Sequence, residues 1–120
     1  MNFDWKEYLA LAHFLQQHSA VGLNREAAQR SAVSRAYFAA FCHARNYARD
    51  RHGLKLSYTA DDHFRVKSHF SARRERGVAP KLDRLRQWRN QCDYEDSVAN
   101  LITLPASALQ EAQMVIAILK

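Results

Sequence analysis

Apolar residues along this 120-residue chain recur at intervals of three and four, the period of a helix rather than the alternation of a strand. Trp5, Tyr8, Leu9, Ala12 and Leu15 or Gln16 share one face, which predicts a first helix over about Phe3 to Gln17, with Gly22 in the loop that follows. Asn24 is the kind of residue that caps a helix, and Glu26 lies in the next turn, where the helix dipole favours an acid. The helix so begun is expected to reach about His52 and to stop at Gly53. It carries two stripes, Ala28, Ala32, Ala36, Ala39 and His43 on one side and Val33, Tyr37, Ala40, Phe41, Ala44 and Ala48 on the other. Two stripes imply neighbours on two sides, so this is the expected central helix, with alanines that let its partners approach closely.

Thr59-Ala60-Asp61-Asp62 reads as a capping sequence and predicts a third helix from about Asp61 to Ala72. Arg73 to Pro80 holds a glycine, a proline and several charges and is expected to be a loop. Pro80 fits the first turn of a fourth helix, whose apolar edge is Leu82, Leu85, Trp88, Arg89 and Cys92. Asp93, Glu95 and Asp96 would close that helix with three acids at the negative end of its dipole. Either the helix continues or those groups have partners. Pro105 opens a last helix with a stripe of Ala108, Ala112, Val115 and Leu119, widened by Leu109, Ile116 and Ala117. The expected fold is all-α, a single antiparallel bundle of four or five helices.

Composition narrows this further. Three glycines and two prolines supply few turns for an all-β fold, and no apolar run approaches the length of a membrane span. The N-terminus lacks a basic stretch followed by an apolar one, so a cytoplasmic protein without a membrane partner is expected. Cys42 and Cys92 stand fifty residues apart and are expected as buried, reduced thiols. His63 and His69 have neither i+3 nor i+4 spacing and no acids around them, so neither a metal site nor a cofactor is expected.

The formal net charge of +6 is localised. Nine basic residues and two acids lie between Arg65 and Arg89, whereas the rest of the chain is nearly balanced. Such asymmetry favours a polyanionic partner, either RNA, DNA or an acidic protein. Arg73, Arg74 and Arg76 in the loop, with Arg84 and Arg86 on the fourth helix, are the candidate backbone contacts, because arginine offers paired donors to phosphate without reading sequence. The competing account is a solvated helical face. Tyr37, Phe38, Phe41 and Tyr47 would suit base stacking, but their helical spacing among alanines favours core packing.

Two segments together resemble a known family. Ser34-Arg35-Ala36-Tyr37-Phe38-Ala39-Ala40-Phe41-Cys42-His43-Ala44 is similar to the Ser-Arg-Ala-Tyr-Tyr-Ala-Ala-Phe-His signature of HEPN domains, and Arg89-Asn90-Gln91-Cys92-Asp93-Tyr94 resembles a version of their polar motif. The resemblance spans roughly residues 5 to 119. It implies a helical, prokaryotic protein of a toxin–antitoxin or defence system, in many cases a metal-independent ribonuclease with a composite site at a homodimer interface. There the motif arginine steadies the scissile phosphate and a histidine after four to six intervening residues transfers protons. Arg89 matches the arginine and Asn90 the polar residue after it, while Tyr94 occupies a histidine position. A general base is best matched near neutral pH by histidine, at about 6.5, rather than tyrosine, at about 10.

Several assignments stay open on the sequence. Arg89 and Asp93, at i and i+4, suit either an ion pair or a site in which Arg89 meets phosphate. Arg89 and Tyr94 are about 140° apart around a helix, so their convergence calls for a helix end near Gln91 or a second protomer. His43 is either a core residue or a substitute imidazole. The functional expectation is an RNA-acting or RNA-binding component built on Arg89, Asn90 and Tyr94. The alternative is a catalytically inactive subunit that binds a nucleotidyltransferase-type antitoxin partner or a nucleotide.

Overall fold

In the computed structural model, described for residues 3–17, 24–73 and 75–120, five helices pack as an all-α bundle, with no strand among the described residues. They are α1 (Glu7–Gln17), α2 (Arg25–His52), α3 (Asp62–Ser71), α4 (Val78–Tyr94) and α5 (Leu104–Ile118). At 1.5 Å per residue α2 is about 42 Å long, close to the 44 Å long axis of the molecule. It touches all four other helices. Ala32, Ala36, Ala39, Ala40, Ala44 and Ala48 are fully buried along it, as both predicted stripes require, and only His43 among the stripe residues is partly open. Among the described residues no helix is long and apolar enough to cross a membrane.

The bounds of α2 follow from its ends. The Asn24 side chain accepts the Ala27 N–H at 2.9 Å. At the other end Gly53 takes φ +70°, the Gly53 N–H bonds the Arg49 carbonyl and the Leu54 N–H bonds that of Ala48. Only glycine turns there without strain, so the helix stops as expected.

Other boundaries differ from expectation, each for a local reason. α1 begins at Glu7 rather than Phe3, because the Asp4 carboxylate accepts the Lys6 N–H and the Asp4 carbonyl accepts that of Glu7. α3 begins at Asp62, whose buried carboxylate reaches back to the N–H groups of Ser57 and Tyr58 and to the Ser57 hydroxyl, at 2.6 to 2.8 Å. Burial opposes the charge on Asp62, but these bonds and Arg65 outweigh it and lower its pKa. Asp61 caps nothing through its side chain. α4 starts at Val78, so Pro80 lies inside its first turn and the preceding connection is shorter than the sequence implied. Gly22 and Arg74 lie outside the described residues. Ala117 does not widen the α5 stripe; it is exposed.

Leu82 and Leu85 of α4, Val66 and Phe70 of α3, and Ala108, Ala112, Val115 and Leu119 of the C-terminal segment join the α2 alanines in one core. Cys42 and Cys92 are free and buried, and burial pushes both thiols up to about 11, which keeps them protonated. Of the three acids, Asp93 lies in the last turn of α4, while Glu95 and Asp96 follow it and do not extend the helix. Arg30 of α2 donates to the carbonyls of Cys92, Glu95 and Asp96 at 2.6 to 3.0 Å, so one buried-edge guanidinium closes the C-terminus of α4. Arg30→Ala should lower stability by about 2–3 kcal/mol, since charged hydrogen bonds to otherwise unpaired carbonyls are lost. Urea unfolding of the two proteins would read the difference as a lower midpoint with little change in slope.

Candidate nucleic-acid interface

Arg89 is held where α4 crosses α2. Its Nε lies 2.8 Å from Asp93 Oδ2, as a charge contact rather than an aligned hydrogen bond. Its Nη1 donates to Asn90 Oδ1 at 3.1 Å and its Nη2 to the Tyr94 hydroxyl at 3.4 Å. The guanidinium also lies over three rings, 5.1 Å from Phe38, 5.3 Å from Tyr94 and 5.9 Å from Tyr37. Among the described residues these contacts claim one hydrogen on each Nη, leaving the second of each pair for a ligand.

The i, i+4 ion pair and the Arg89–Tyr94 contact are thus both present in one chain. The helix does not end near Gln91, and no second protomer is needed for them to meet. The expectation failed because a 140° separation describes Cβ directions, whereas both side chains are long enough to fold back toward each other. Tyr94 remains 72% exposed.

α2 supplies the rest of the setting. The Ser34 hydroxyl donates to Asp93 Oδ2 at 3.2 Å, which fixes the carboxylate that holds Arg89. Arg35 lies over Tyr8 and Phe38, so two guanidinium groups share the Phe38 ring. Tyr37 and Phe41 stack 5.6 Å apart with rings nearly parallel, and both are buried. The core reading of these aromatics holds, yet their edges, with Phe38, form one wall of a pocket.

That pocket, of about 280 Å³, lies between α2, the start of α3 and α4, and Arg86, Arg89, Asn90, Thr59 and His63 complete it. His63 is the functional candidate that sequence reasoning passed over, having weighed it only as a metal ligand with His69. His63, Val66 and Phe70 fall at i, i+3 and i+7, the buried stripe of α3, and that period was the available signal. Its Nδ1 meets the Tyr37 hydroxyl at 3.0 Å, and its Nε2 is buried without a hydrogen-bond partner among the described residues. An orphaned nitrogen of this kind costs about 1–3 kcal/mol in an unfilled site. Burial, then Arg86, push the imidazole down to about 4 despite Asp83, with Lys67 adding to the fall. Burial also raises Tyr37 above the ordinary phenol value, against the pull of Arg89 and Arg86.

The remaining basic candidates divide. Arg73 and Arg76 border a separate pocket with Phe70, Ser71 and Pro80, and Arg73 contacts Glu75 at 3.4 Å. Arg84 faces α5, where Glu111 takes it at 2.8 Å with Lys81 nearby, so its charge is compensated. Arg86 and Arg89 share the His63 pocket. His43 is no substitute imidazole in this chain, because its Nε2 is engaged with the Leu119 carbonyl beyond α5. His52 and His69 bond each other at 2.8 Å, and no group of three or more metal-ligating side chains occurs among the described residues.

No protein-family model matches the chain, and neither a curated protein nor a solved structure shows significant similarity to it. The site therefore rests on its own geometry.

The His63 shift carries a stability consequence. Its folded value lies below the unfolded value of about 6.5, so the unfolded chain binds more protons between those two values. Stability should be full above about pH 6.5 and fall as pH drops toward 4, by on the order of 2 kcal/mol after discounting for residual solvent contact. His69 is shifted down by burial and by His52 and adds in the same direction. Urea midpoints at pH 7, 5.5 and 4.5 check this, and His63→Gln should flatten the curve without removing the His69 share.

Proposed function

We propose that the chain is a HEPN-like RNA-acting or RNA-binding component of a bacterial toxin–antitoxin or defence system. It works in the cytoplasm as a homodimer joined across the face from Arg89 to Asp96. The observation that carries this reading is that the two segments resembling the family lie against each other: Ser34 bonds Asp93, while Tyr37 and Phe38 flank Arg89. In this reading Arg89 and Arg86 bind phosphate, Asn90 orients Arg89 through Nη1, and the exposed Tyr94 donates its hydroxyl to the strand or stacks on a base. Arg73, Arg74 and Arg76 extend the positive field along the backbone path. Arg84 contributes less, since Glu111 neutralises it.

A second reading, a catalytically inactive subunit that binds a nucleotidyltransferase-type antitoxin or a nucleotide, is favoured by the Asp93 contact with Arg89 and by the lack of any histidine on α4. The two separate in one assay. Purified protein incubated with structured and unstructured RNA in EDTA should cleave or bind it, and Arg89→Ala should abolish cleavage and weaken binding. RNA that stays intact and bound leaves the RNA-binding form of the first reading, and RNA neither cut nor bound removes the RNA reading and favours the inactive subunit. Log affinity should fall linearly with log salt, and Arg86→Ala should reduce the slope by about one.

A further inference from the structure

His63 plays no part in the contacts that hold Arg89, yet it lines the same pocket. Three features define its setting. The imidazole is only 8% exposed and is fixed from one side by the Tyr37 hydroxyl at Nδ1. Its ring lies 5.8 Å from that of Tyr37 and 5.6 Å from that of Phe41, so its plane is set by packing. Its Nε2 is left without a partner among the described residues, while Arg86, Arg89 and Asn90 line the space beside it. We propose that this pocket binds a phosphodiester, with Arg86 and Arg89 taking the negative charge and His63 completing the contact through Nε2 as it takes up a proton. The proposal rests on the nucleic-acid reading of the Arg89 site.

The charges around His63 explain the coupling. From α4 it faces Arg86 and Asp83, from α3 Lys67, and from α2 only the aromatic wall, in which Tyr37 keeps its proton. Asp83 is occupied by Lys67 at 3.0 Å, with Gln87 also donating to it, so it offers little charge to a second cation. Without an anion, protonating His63 would add a third positive charge to a buried corner beside two arginines. An anion between Arg86 and Arg89 reverses that balance and brings an acceptor oxygen toward the orphaned nitrogen. One proton then moves from solvent to the imidazole, giving an imidazolium beside a bound monoanion. Neutral histidine is thus the empty state of the pocket, and charged histidine the filled one.

Thymidylyl-thymidine is a suitable probe, because its phosphodiester keeps one charge between about pH 5.5 and 8 and it has no 2′-hydroxyl to support cleavage. NMR titration of the wild-type protein should show the His63 ring-proton midpoint rising from about 4 to about 6.5 at saturation, and, as linkage then requires, affinity rising about tenfold from pH 8 to 5.5. In His63→Gln, binding should persist with no dependence on pH, and in Arg86→Gln, an exposed position, it should weaken while the residual binding keeps its pH dependence. A His63 midpoint unmoved by saturating ligand overturns the inference without recourse to any variant. So does a pH dependence that survives in His63→Gln. An RNA oligonucleotide tested in parallel separates the two claims. RNA binding with an unmoved His63 leaves the functional reading and sinks this inference. Dinucleotide binding with a moved His63 but no RNA binding does the opposite, and no binding of either sinks both.

Discussion

The architecture depends on how closely other helices can approach α2. Six of its alanines are fully buried, and α2 packs against all four other helices. A methyl group at these positions lets a neighbouring axis come near the short end of the usual 8–10 Å range. Larger side chains at several of them would push the partners outward, because packed interiors absorb extra methylenes poorly. The aromatic residues of α2 lie between the alanines, so their rings pack into the junctions with α3 and α4. That places Tyr37, Phe38 and Phe41 beside Arg89 and His63 while Tyr37 and Phe41 remain part of the core.

The site is accordingly a product of packing that is partly polar. Arg89 is oriented by a carboxylate that is itself oriented by Ser34, and by rings whose faces attract a cation. Arg30 does comparable work one turn away, tying the end of α4 to α2 through three carbonyls. Both arginines link the same two helices. They bracket the segment from Arg89 to Asp96, so the geometry of this stretch does not depend on α4 alone. The His63 side of the pocket comes from α3, whose N-terminus is set by the backward reach of Asp62 to Ser57 and Tyr58.

Much of this was legible along the chain where the cause is local. Asn24 and Gly53 bounded α2 because a cap and a left-handed glycine act on their own neighbours, and the alanine stripes identified its buried sides because helical period is a local property. Features that depend on register between helices were not legible. Nothing near Arg84 reveals that Glu111 will lie opposite, and nothing near Asp93 reveals Ser34 or Arg30. The third helix begins one residue later than expected, at Asp62, whose carboxylate reaches backward into the preceding turn, while the Thr59 hydroxyl accepts the Asp61 N–H as the capping sequence implied. His63 was invisible as a partner of Arg89 for the same reason: the two are twenty-six residues apart on different helices.

The ion pair between Arg89 and Asp93 bears directly on whether this arginine can serve a ligand. A carboxylate that gripped both Nη groups would compete with phosphate for the same fork. Asp93 instead approaches Nε, at the side of the guanidinium, and Ser34 holds it there. Asn90 and Tyr94 each take a single hydrogen from the outer edge. The arginine is therefore pinned from behind and along its flank, and the entropy of ordering a long, flexible side chain is spent in folding rather than in binding. One hydrogen on each Nη is left over from these contacts. Asp93 lowers the net charge of the site but does not occupy the edge that a phosphate would use, so the ion pair and the proposed phosphate contact are compatible in one structure.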